Sequence, residues 1–156
     1  MENLTALLIQ YDSWVRFFHI SGAVLAIGAV VAADLALLWL KFRPKEAATI
    51  AKISPIFSLQ IWLGLIVISL SGLALFLTRV GVENYDVFQF KMLLVLVVFL
   101  NGVLLNIWIT PRFEKLVPEW AENTRAVRRF TAIAGVSAAV SFIGWWGILI
   151  LMYVFY

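Results

Sequence analysis

Arg16-x-x-His19 places a guanidinium one helical turn before the chain's single histidine, so both side chains would share a helix face. Lys91 and Met92 stand together further along, about 100° apart around a helix. Imidazole and thioether are axial donors to haem iron in one class of cytochrome. They also suit copper, because thioether sulfur is soft enough for Cu(I). Cations such as Arg16 and Lys91 would neutralise haem propionates. The same four residues have a plainer reading. His19 would then be a hydrogen-bonded packing residue, Lys91 would extend its stem to reach water, and Met92 would fill a gap.

A second set of polar side chains, Asp34, Gln60, Asn106 and Ser137, interrupts otherwise apolar stretches. Counted from the ends of those stretches, all four lie about five to seven residues deep, within one turn of the same level. Three uses are open for this layer: an interhelical polar clasp, a proton or cation site centred on Asp34, and a site for a lipid or quinone headgroup. An ionisable group at that depth must face other protein groups. Trp145-Trp146 lies near the middle of the last stretch, where it would either flank a flat ligand or fill the core.

Composition excludes much else. With no cysteine, thiolate metal sites, disulfides and thiol catalysis are absent. One histidine leaves no multi-histidine centre within a single chain. No nucleophile array, phosphate-binding glycine loop or metal-hydrolase motif is present, which argues against a hydrolase or kinase. Whether the chain is an enzyme at all stays open.

The elements that must position these residues are legible from hydropathy. The 156 residues are 63% hydrophobic and 13% charged, and the mean hydropathy is +0.99. A soluble domain is far more polar. Four apolar runs, about 14–40, 55–78, 88–110 and 130–154, are long enough to cross roughly 30 Å of hydrocarbon as helices. The first is too long for a signal peptide. The reading is a single all-α transmembrane domain, an integral membrane four-helix up-down bundle. Pro55 is placed in the first turn of the second helix. A turn falls at 81–86, Pro111 ends the third helix, and 112–129 forms a short interfacial helix. Pairs such as Gly22/Ala26, Gly28/Ala32, Gly135/Ala139 and Ser137/Ser141 have the spacing at which helices pack closely in lipid.

The net charge of +3 reports orientation. Lys41, Arg43, Lys45, Lys52, Arg112, Lys115, Arg125, Arg128 and Arg129 fall in the first and third loops, against Arg16, Arg79 and Lys91 elsewhere. The bias predicts an inner-membrane protein with both large loops in the cytoplasm and both termini outside. Trp39, Trp108 and Trp120 would mark the inner interface; Trp14, Tyr85, Tyr153 and Tyr156 would mark the outer one. Nucleic acid is not an expected partner. The bilayer is, together with other membrane subunits or further copies of the chain.

Arg16-x-x-His19-Ile20, Gly28 and Phe90-Lys91-Met92-Leu93-Leu94 resemble the small four-helix bacterial membrane proteins. That group includes the protoporphyrinogen oxidase family of haem synthesis and the copper-resistance D-like domains. The resemblance implies a b-type haem near His19, with Met92 as second ligand, Lys91 carried over directly and Arg16 in place of a lysine. The chain departs from the oxidase pattern where Gly28-Ala29 replaces a tryptophan, and where Asp34-Leu35 and Trp39 stand instead of a Pro-Arg pair. Those departures bear on porphyrinogen oxidation more than on haem binding. The functions implied are membrane redox or electron transfer with haem b (copper as runner-up), a non-enzymatic structural subunit, or proton- or cation-coupled transport through Asp34.

Overall fold

A computed structural model describes residue 7 and residues 10–78 and 85–155. Arg79, Tyr156 and most of the proposed 81–86 turn lie outside the described residues. Every regular element described is helical: α1 Asp12–Leu40, α2 Ala47–Thr78, α3 Tyr85–Leu104, α4 Thr110–Leu116 and α5 Arg125–Phe155. Four helical stretches are long and apolar enough to cross a membrane. Large apolar side chains point outward along them, Ile107 and Ile143 at 70% and 69% exposure. Such a belt is penalised in water and neutral in lipid.

Two helical boundaries differ from the sequence expectation. A tight helical turn over Pro44–Glu46 starts the second helix, so Pro44 takes the first-turn place and Pro55 lies inside α2. Pro111 does not end the third helix either. A wide π turn over Leu105–Ile109 comes first, closed by a bond from the Thr110 N–H to the Leu105 carbonyl, and α4 continues from it. Pro111 has no N–H to donate, and the widened turn shifts the bonding pattern just before it. The segment 112–129 is therefore no separate interfacial helix. It comprises the rest of α4, a 3₁₀ stretch over Val117–Glu122, Asn123 in the left-handed region at φ 48°, and the start of α5. Thr124 Oγ1 caps α5 by accepting from the Val127 N–H at 3.3 Å.

One core cluster joins Leu40 of α1, Ala47 of α2, Phe113 of α4, and Val127 and Phe130 of α5. The C-terminal ends of α1 and α4 thus meet the N-terminal ends of α2 and α5, so the chain alternates direction as an up-down bundle. Phe113, Trp120 and Phe130 form its aromatic centre, with ring centroids 5.1 to 6.2 Å apart. Trp120 is only 6% exposed there, which removes it from the expected interfacial belt: its indole fills protein rather than meeting headgroups. Trp39 remains exposed and donates to Glu46 Oε2 at 2.8 Å. The nine loop cations gather at this same end, termed here the basic end.

Within the bundle α1 lies along α2, and α3 along α5. The first pair touches through backbone. A Cβ on Gly64 would sit 2.8 Å from both the Ala26 nitrogen and the Gly22 oxygen. Gly144 plays a similar part in the second pair, against Val98. Gly28 and Gly135 face open space, so Gly22/Ala26 packs within the bundle while Gly28/Ala32 and Gly135/Ala139 do not depend on Gly for packing. We expect Gly64→Val to destabilise the fold by about 1–3 kcal/mol through overpacking and Gly135→Ala to be nearly neutral. Unfolding curves of the two variants in detergent check this.

Candidate functional site

The polar side chains lie at three levels. Farthest from the basic end, His19 projects from α1 onto α2, where Nδ1 stands 3.1 Å from Ser71 Oγ. Ser71 sits in a helix, and its hydroxyl donates back to the Val67 carbonyl at 2.5 Å, the usual bond of a helical serine. A hydroxyl has one proton to give. With it committed to Val67, the contact with His19 must run from Nδ1–H to the Ser71 oxygen. In its neutral form the ring therefore carries its proton on Nδ1 and leaves a lone pair on Nε2. Gly72 makes room for the ring, since a Cβ there would come within 3.2 Å of His19 Cε1.

The charges around His19 divide unequally. Lys91 is half-buried on α3. Arg16, one turn along α1, pairs with Asp12, a carboxylate the sequence reading did not single out. Met92 is 40% exposed, turned about 100° around α3 from Lys91. Below this level, Trp145 is buried with Ala26, Val98 and Ile148, and Ile68 packs against them. Its indole N–H is buried without a partner among the described residues. Trp146 faces outward against Phe142. The tandem tryptophans thus divide: one fills the core, the other its periphery.

At mid-depth, Asn101 of α3 is clasped by α5. Its Nδ2 donates to the Ser137 carbonyl at 2.9 Å and to Ser141 Oγ at 2.8 Å, and Ser137 Oγ donates to its Oδ1 at 2.8 Å. All three residues are buried. Ser137 thus joins Asn101 and Ser141 rather than the layer of Asp34, Gln60 and Asn106. Asn101 was missing from that layer; its place one turn from the Gly144–Val98 contact was the only signal, and it needs the helix register to be seen.

Toward the basic end, Asp34 and Asn106 line one cavity of about 60 Å³ with Ser54, Ser58 and Thr110. This space suits water or a small ion and is too small for a macrocycle. Asn106 lies in the π turn and donates to the Gly102 carbonyl at 3.0 Å. Gln60 is half-buried and does not line this cavity. Among the described residues no group of three His, Cys, Asp or Glu side chains could hold a metal ion. Comparison of the chain with protein-family models, curated proteins and solved structures finds no match.

The clasp yields a stability prediction. Asn101→Ala strands the Ser137 and Ser141 hydroxyls and should cost about 1–2 kcal/mol, whereas Asn106→Ala, which loses one bond within its own helix, should cost less. Paired unfolding titrations in detergent measure the difference.

Proposed function

We propose that the chain is a multi-pass inner-membrane protein that binds b-type haem through His19 and serves in redox or electron transfer, its basic end in the cytoplasm and its termini outside. The observation that carries this reading is the contact of His19 Nδ1 with Ser71 Oγ at 3.1 Å. A ligating histidine commonly donates its other ring N–H to a fixed acceptor, which sets the ring's orientation and raises its basicity. The Nδ1–Ser71 contact supports this arrangement for His19, in which Nε2 would be the ligating atom. Imidazole and thioether are both donors to haem iron, and on this proposal His19 would hold the group with Met92 as the second donor. Lys91 would supply positive charge for a propionate, Arg16 would have to share its charge with Asp12, and the Trp145 N–H is a donor in the adjoining layer. When bound, haem supplies one-electron chemistry between ferric and ferrous iron. The protein's part is to orient the ring, tune its basicity through Ser71 and exclude water with the surrounding apolar helices.

Purified protein reconstituted with haem should show a Soret band. His19→Ala should abolish it, and Ser71→Ala should keep the band while moving the midpoint potential. A wild-type chain that gives no band after reconstitution rejects the proposal.

A second reading, proton or cation passage at Asp34, is favoured by one observation: the π turn brings Asn106 into the Asp34 cavity. π turns recur at functional sites. On this reading Asp34→Asn abolishes cation or proton flux into liposomes, and flux unchanged by the substitution removes Asp34 from the mechanism.

A further inference from the structure

A groove of about 630 Å³ opens between α4 and the first turns of α5. Arg112 and Lys115 line it from α4, and Arg125 and Arg129 from α5. Spacings of three and four residues place each pair on one helix face. The intervening segment also carries Glu114, Glu119 and Glu122, and none of them lines the groove. Glu119 instead accepts from Thr124 Oγ1 at 3.0 Å. None of the four cations has a carboxylate within salt-bridge distance among the described residues, where the ion pair found is Arg16–Asp12. The sequence mixes the two signs, and the fold sorts them.

Four like charges facing one concavity repel one another unless an anion lies among them. The Arg112 guanidinium is held 3.7 Å above the Trp108 ring, a cation–π contact that restricts where its charge can go. The rest of the lining is apolar, chiefly Leu116, Phe130 and Ile133, and Ile133 belongs to a helix long and apolar enough to cross a membrane. A small soluble anion would satisfy the rim and leave this apolar wall wet. An amphiphile with a phosphate headgroup satisfies both, and basic pockets between helices at a membrane surface bind such headgroups.

We propose that this groove binds an anionic phospholipid, with its phosphate among Arg112, Lys115, Arg125 and Arg129 and its acyl chain along Leu116 and Ile133. The site is separate from His19, at the other end of the bundle, and its occupancy does not depend on haem.

The test uses the full chain in a neutral detergent, titrated with phosphatidylglycerol, phosphatidylcholine or inorganic phosphate, with melting temperature and lipid retained in native mass spectrometry as readouts. Phosphatidylglycerol should raise the melting temperature and be retained, and the effect should weaken with added salt. The double substitution Arg112→Gln/Arg129→Gln should weaken apparent affinity about ten-fold or more, as loss of two charge-assisted contacts requires. Arg128→Gln, outside the groove, should leave it unchanged. If the first double variant does not fold, Lys115→Gln/Arg125→Gln gives the same reading. Equal binding of phosphatidylcholine, equal protection by inorganic phosphate, or undiminished affinity in a folded double variant overturns the proposal.

Discussion

The approach of α1 and α2 at Gly22, Ala26 and Gly64 sets the register on which the His19–Ser71 contact and the Asp34 cavity depend. Backbone approaches backbone there, with only the Ala26 methyl and the Val67 side chain beside the two glycines. In a bilayer, helices gain little from a hydrophobic effect between themselves, and close van der Waals contact of this kind is what would hold such a pair together there. Its second effect is positional. His19 lies as far before Ala26 as Ser71 lies beyond Gly64, about two turns along antiparallel helices. Once Gly64 seats on Ala26, the imidazole arrives at the serine. Followed the other way, the same register brings Asp34 toward Ser54 and Ser58, which share its cavity.

The α3–α5 pair obeys the same rule with a different device. Gly144 admits Val98, and one turn further Asn101 enters between Ser137 and Ser141. An apolar seam tolerates sliding because one methyl group resembles another, whereas an amide that must meet two hydroxyls and a carbonyl tolerates little. The clasp therefore fixes the second pair as firmly as the glycine contact fixes the first. The two pairs then share a core at the basic end, around Phe113, Trp120 and Phe130.

Much of this was legible in the chain. The four apolar runs gave the number and direction of the helices, because a bilayer-length hydrophobic stretch has few other structural outcomes. Two prolines misled: Pro55 was read as the start of the second helix and Pro111 as the end of the third. At Pro55 the helix had already begun at the earlier Pro44 turn, and at Pro111 a π turn absorbed the defect. His19 and Lys91 stood out as rare ionisable groups, but Ser71 did not: serines recur along the second helix, and only the register of α1 against α2 selects one of them. Counting depth from Pro111 drew attention to Asn106. Asn101, a turn or so deeper, needed knowledge of which helix lay opposite.

The placement of the tightest contact also bears on how the chain is made. Gly22, Ala26 and Gly64 belong to one hairpin, closed by the short Lys41–Glu46 connection. All three leave the ribosome before any residue of α3 does. The first two helices can lock in register as a unit during synthesis, as N-terminal units commonly do, and bury the His19 ring against Ser71 at that stage. The aromatic cluster at the basic end must wait for Phe130. The order of synthesis thus matches the order in which these contacts can form.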